Sequence, residues 1–243
     1  MNKVYCISYA SNNFLSRTKS YEKNITNFNK FDDFKIFSEH DLDNNFVSKF
    51  KNVLKLPRGG GYWIWKPQII KQQLSLLNNG DILFYTDIGC SFNSTKESDP
   101  MFDYYLDFIN QNNFLRFASN YTETEFTNNN TILFFSKKYN QSFCKLAESK
   151  HLIASIMAFK KNQKTVNFFI EYMNCLDEDS NIITDEYNKF NQAFEFKDHR
   201  HDQSLFSLLY KSLGYNTALK DHTWSSNFKE TFNVPILTTR SKN

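Results

Sequence analysis

In Gly80-Asp81-Ile82-Leu83-Phe84-Tyr85-Thr86-Asp87-Ile88-Gly89, a fully apolar run from Ile82 to Tyr85 stops at a lone carboxylate, Asp87. A short apolar run bounded by turn residues reads as a buried strand. The residues before it read as a helix. Pro67 is tolerated in a first helical turn, Ile70, Leu74 and Leu77 repeat at helical spacing, and Asn78-Asn79-Gly80 suits a left-handed helix end. Further upstream, Pro57-Arg58-Gly59-Gly60-Gly61 breaks any helix and holds three of the six glycines in the protein.

The same alternation extends outward. Val4 to Tyr9 and Phe34 to Phe37 read as strands, and Phe46, Phe50, Val53 and Leu54 as a helix face. Phe102, Tyr105, Leu106 and Ile109 trace a second helix. Phe114 to Ala118, Ile132 to Phe135 and the long run Leu152 to Phe159 read as strands. Val166, Phe169, Ile170 and Met173 mark a helix, and so do Phe206, Leu209, Tyr210 and Leu213 after Asp202. Strands alternating with helices predict one α/β domain over residues 1–243, with a mostly parallel central sheet flanked by helices. In such sheets ligands bind beyond the carboxyl ends of strands, where Asp87 sits.

Composition narrows the function. With 243 residues, 40% hydrophobic and 23% charged, the chain is long and apolar enough for a sizeable core. A net charge of +3 gives no electrostatic footprint for nucleic acid. Cys6, Cys90, Cys144 and Cys175 form no C-x-x-C pair, which argues against a zinc knuckle or a thioredoxin-like motif. No secretory signal and no apolar stretch of the ~20 residues needed to span a bilayer is visible. The expected location is the cytoplasm, with peripheral association at a membrane surface as an option.

A carboxylate at a strand end suits a hard divalent cation such as Mg²⁺ or Mn²⁺, which is held by one or two carboxylates plus substrate phosphates. Such an ion neutralises a diphosphate leaving group. Gly60-Gly61-Tyr62-Trp63-Ile64-Trp65-Lys66-Pro67, a helix, and then Gly80 to Gly89 resemble the donor half of GT-A glycosyltransferases, above all capsule- or virus-associated members, which implies a hexosyltransferase. His199-Arg200-His201-Asp202-Gln203-Ser204-Leu205 resembles the D-Q-D helix start of the glycogenin-like and galactosyltransferase branch, and Ala154 to Asn162 resembles the strand and turn before it. The likeness spans roughly residues 3 to 225. It departs from the family at Gly89, which replaces the second acid of D-x-D, and at Ser204, which replaces the last acid of D-Q-D.

The resemblance implies a nucleotide-sugar donor, a glycan or other hydroxyl acceptor, and a role in polysaccharide assembly. Residues 1–90 would form the donor half and 91–243 the acceptor side. Asp87 and His222 would hold Mn²⁺ or Mg²⁺; with Gly89 in place of the second acid, a metal-independent enzyme is the alternative. Arg58, Gly60, Gly61, Trp65 and Lys66 would meet the nucleotide and its phosphates. Asp202 and Gln203 would address the reacting sugar, with Asp202 as general base, as sugar-hydroxyl acceptor, or as a helix N-cap. His199 and His201, at i, i+2 spacing, suit a strand or turn, and a zinc site on them lacks a third ligand. A sugar-phosphate nucleotidyltransferase is the competing enzyme class, although Tyr9-Ala10-Ser11-Asn12-Asn13 stands where its glycine-rich loop belongs. A non-catalytic carbohydrate-binding scaffold is the competing non-enzyme.

Overall fold

The computed structural model describes residues 2–11 and 14–240; Asn12 and Asn13, at the end of the segment compared above with a glycine-rich loop, lie outside the described residues. The strands in chain order are β1 (Val4–Tyr9), β2 (Asp33–Phe37), β3 (Ile82–Thr86), β4 (Ser91–Phe92), β5 (Phe114–Leu115), β6 (Phe117–Thr122), β7 (Lys150–Leu152), β8 (Ile156–Lys160), β9 (Leu219–Lys220) and β10 (Ile236–Leu237). The central sheet has the order β2-β1-β3-β8-β5. β1 pairs in parallel with both β2 and β3, whereas β8 runs antiparallel to β3 and β5. Four of the five strands therefore point the same way, as expected for a mostly parallel sheet.

β3 is buried along its whole length, and its alternating side chains serve two cores. Leu83 and Tyr85 join a core with Ile69, Ile70, Phe169 and Leu208, from the helices Trp65–Leu76, Gln163–Glu178 and Asp202–Ser212. Ile82 and Phe84 join the other, with Tyr21, Phe28, Phe102 and Ile109, from the helices Leu15–Phe28 and Asp99–Asn112. A strand buried on both faces has no polar alternation to display, which is why Ile82 to Tyr85 reads as unbroken apolar sequence.

Three expected strands differ. Ile132 to Phe135 lies in the helix Asn129–Lys138, whose first turn is capped by the Asn128 side chain accepting from Thr131 N at 2.9 Å. Ile132 and Phe135 are buried while Leu133 is exposed, a helical spacing that four apolar residues are too few to reveal. Phe114 to Ala118 divides at Arg116 between β5 and β6, which belong to different sheets. Leu152 to Phe159 divides between β7 and β8, and the break frees two carbonyls. Ala154 O accepts from Lys66 Nζ at 3.2 Å, and Ser155 O from Asp87 N at 2.8 Å.

Candidate active site

A cavity of about 470 Å³ opens at the carboxyl ends of β1 and β3 and the start of the antiparallel β8. Its wall includes Tyr9, Tyr85, Asp87, Gly89 and Ser155 from those strand ends, with Arg58, Trp63, Trp65 and Lys66 from the segment leading into the helix Trp65–Leu76. Arg200, His201, Asp202 and Gln203 come from the start of the helix Asp202–Ser212, and Arg240 from the tail after β10.

The centre of the site is a buried ammonium between two carboxylates. Lys66 Nζ lies 2.5 Å from Asp202 Oδ2 and 3.3 Å from Asp87 Oδ1. Lys66 and Asp202 have side chains only 3% and 6% exposed, whereas Asp87 is 38% exposed. Burial works against the Lys66 charge, but Asp202 and then Asp87 outweigh it and hold its pKa above the ordinary lysine value. Burial also pushes the Asp202 carboxyl up to about 6, against the pull of Lys66. Both shifts have the same sign: each group holds its proton more firmly than it would in water. Asp202 Oδ2 is buried against the Lys66 ammonium. Asp87 Oδ1 also accepts from the Tyr85 hydroxyl at 2.7 Å, and burial with the Asp87 charge holds that phenol protonated.

The glycine segment forms a left-handed turn. Gly59, Gly60, Gly61, Tyr62 and Trp63 all have positive φ, between 55° and 88°. This conformation costs an ordinary L-residue ~1–2 kcal/mol, so Tyr62 and Trp63 need compensating contacts. Their rings pack on His201, at centroid distances of 4.5 and 5.7 Å. His201 has φ 50° and ψ −118°, so strained backbone meets strained backbone at the cavity wall. Trp65 stacks on Tyr9 at 3.8 Å and donates its indole N–H to Gly59 O at 3.0 Å.

Several expected site residues sit elsewhere or act differently. Gly59 lines the cavity, while Gly60 and Gly61 do not; Gly61 instead lets the turn pass against the Val53–Leu54 backbone. Lys66 reaches the cavity but is engaged with carboxylates. Arg58 is paired with Asp185 at 3.2 Å and Asp198 at 2.6 Å. Asp202 is no N-cap: His201 holds that position and Asp202 is the first helical residue. Gln203 lines the cavity, its Oε1 accepting from Ala154 N at 3.3 Å. The zinc pair is structural. His199 Nε2 donates to Ile182 O and His201 Nδ1 to Ile183 O, at 2.9 and 2.8 Å.

His222 is not brought to Asp87. It does not line the cavity; its Nε2 meets the Tyr105 hydroxyl at 2.6 Å and its Nδ1 meets Lys220 O at 2.9 Å. Among the described residues no group of three or more His, Cys, Asp or Glu is placed to hold a metal ion. The donor set at Asp87 does not fit a protein-held Mn²⁺ or Mg²⁺. Gly89 stands in place of a second acid, and a lysine ammonium lies between Asp87 and Asp202.

No protein-family model and no curated protein sequence matches the chain. Among solved structures it is similar to an active-site mutant of LgtC, with a TM-score of 0.53 and 9% identity over 96% of this chain and 86% of that one. It is also similar to the apo form of mouse xyloside xylosyltransferase 1, with a TM-score of 0.51 and 9% identity over 97% of each chain. The chain has the GT-A glycosyltransferase fold. That likeness runs nearly the full length of both chains. No helix among the described residues is long and apolar enough to cross a membrane.

Sequence reasoning missed Arg200, Arg240 and Tyr85 as cavity residues. Arg200 lies within the segment that resembles the D-Q-D helix start, flanked by the two histidines. Arg240, in a short polar tail, carries no pattern that marks it.

Proposed function

We propose that this protein transfers a sugar from a nucleoside-diphosphate sugar to a hydroxyl acceptor. The observation that carries the reading is the Asp87–Lys66–Asp202 array at the strand ends, in a cavity within the ~300–1,000 Å³ typical of small-molecule sites. Breaking a glycosidic bond leaves positive charge on the sugar carbon, as in the oxocarbenium-like transition states of glycoside hydrolysis. Carboxylates at that position stabilise the charge. Asp202 lines the cavity, where its carboxylate can accept from a sugar or acceptor hydroxyl. A carboxyl group titrating at about 6 is also well matched to general-base work near neutrality. Lys66 keeps Asp87 and Asp202 side by side, and Gln203 has its amide NH₂ left to donate to the sugar. Trp63 and Trp65 give the cavity an aromatic wall for a base or sugar ring.

In this reading the donor cavity draws on both 1–90 and 91–243, and the acceptor enters over the second half. A glycan acceptor in polysaccharide assembly fits the fold. All four cysteines are free, which supports a reducing, cytoplasmic compartment. The test is release of nucleoside diphosphate from a panel of nucleotide sugars. Wild type turns over one of them, and Asp87→Asn loses most of that turnover with little change in melting temperature. Unchanged turnover in Asp87→Asn reduces the residue to a turn former and removes the basis of the reading.

A further inference from the structure

A nucleotide sugar carries its phosphate charge into the cavity, and cations must balance it. The ion that a D-x-D pair would bind is poorly provided for, because Gly89 replaces the second acid and Lys66 fills the space beside Asp87. Lys66 and Arg58 are each engaged by two carboxylates. Two other guanidinium groups line the same cavity: Arg200 and Arg240. Neither forms an ion pair with a carboxylate among the described residues.

The fold holds the Arg200 side chain and anchors the backbone beside Arg240. The Arg200 guanidinium lies 4.7 Å over the Phe126 ring, and its backbone N–H donates to Phe126 O at 3.0 Å. Arg240 follows β10, which pairs with β4 just beyond the Asp87 loop. Thr239 Oγ1 donates to Gly89 O at 2.8 Å and meets Ser91 Oγ at 2.9 Å. The residue that replaces the second acid thus anchors, through its carbonyl, the tail that carries Arg240. Burial, with the charges of Arg240 and Arg58, acts against the Arg200 charge and outweighs the opposing pull of Asp198 and Tyr121. Two guanidinium groups that share a cavity wall, neither of them ion-paired, are relieved by a bound anion.

We propose that Arg200 and Arg240 form the diphosphate subsite, so that donor binding and leaving-group departure need no divalent ion. This rests on the glycosyl-transfer reading. In that step the bond between the sugar carbon and the diphosphate oxygen breaks, and its electron pair stays on the oxygen, where the arginines meet the developing charge. The acceptor oxygen forms the new bond, and its proton passes to the Asp202 carboxylate and on to solvent.

The experiment is calorimetric titration with UDP, GDP, CDP and TDP, and with the matching nucleosides, in EDTA and then with Mn²⁺. One diphosphate should bind in EDTA and its nucleoside much more weakly. Arg200→Gln and Arg240→Gln should each weaken it about tenfold or more, as expected on losing a charge-assisted hydrogen bond. Arg200→Lys should retain part of the affinity. Arg240 is exposed, so its variant tests the proposal even if Arg200→Gln fails to fold. Binding that appears only with Mn²⁺, or that both glutamine variants leave unchanged, overturns the proposal alone. No binding of any diphosphate to wild type in either condition overturns it together with the glycosyl-transfer reading.

Discussion

Lys66→Met keeps most of the side-chain volume and removes the charge between Asp87 and Asp202. At 2.5 Å, the gross attraction between Lys66 and Asp202 is roughly 6–7 kcal/mol at an effective dielectric constant of 20. Most of that is offset by the desolvation of both groups. What the variant exposes is a stranded buried carboxylate, which costs about 3–5 kcal/mol. Asp202→Asn leaves Lys66 with Asp87 and Ala154 O, so it should cost less than Lys66→Met but more than a lost cap. The double variant strands no charge in the buried pair, and should recover at least ~1 kcal/mol relative to the sum of the singles. The pH dependence has a definite sign. Asp202 already titrates near 6 when folded, above the ordinary carboxylate value, so the folded state takes up its proton first. Stability from this group is therefore greatest at low pH and falls as pH rises through about 6. Without Lys66 that window extends to higher pH, so the deficit of Lys66→Met should shrink on acidification. Urea unfolding of all four proteins at pH 5 and pH 8 measures this. Additive single and double variants, or Lys66→Met within ~0.5 kcal/mol of wild type at pH 8, would refute the buried array.

The turnover rate of wild type should rise along an acidic limb near pH 6 as Asp202 loses its proton. Asp202→Asn should abolish that limb and lower the rate by ~10²–10⁴ if the residue is the base; a retained limb assigns it to another group. Gly61→Ala should cost about 2–5 kcal/mol in urea unfolding, because its Cβ would sit 2.7 Å from Leu54 Cα at φ +88°. Gly60→Ala meets only Trp65 Nε1 at 3.6 Å and should cost no more than the left-handed backbone itself, ~1–2 kcal/mol; equal losses would contradict this path of the turn. His222→Phe should lower the melting temperature through loss of the Tyr105 contact and leave nucleoside-diphosphate affinity unchanged, whereas loss of affinity would return His222 to the donor site.

The central strand and its terminal carboxylate are legible in the sequence because β3 is buried on both faces, which requires an apolar run, and because ligand sites gather at strand ends. The helix after the glycine segment is legible from Pro67 and the spacing of Ile70 and Leu74. Ile132 to Phe135 is not, because four apolar residues fit either period and only the Asn128 cap favours the helix. The break after β7 is hidden within apolar residues, although it exposes the carbonyls that hold Lys66 and Asp87. Lys66 reads from the sequence as a phosphate-binding cation. Its actual partners arrive from the end of β3 and from the late helix, and no local pattern encodes such a long-range pairing. The same holds for Arg58, whose carboxylates come from residues 185 and 198. For Arg240 only the tertiary tie of Thr239 to Gly89 reveals its place.

The most direct measurement is a crystal structure of the protein with the nucleotide sugar it turns over, or with an unreactive analogue. The ligand is expected to fill the cavity at the ends of β1 and β3, with the sugar against Asp87 and Asp202 and the diphosphate against Arg200 and Arg240. A nucleotide sugar bound outside that cavity, or bound there with its diphosphate away from both arginines and its sugar away from both carboxylates, would contradict the proposed transfer site.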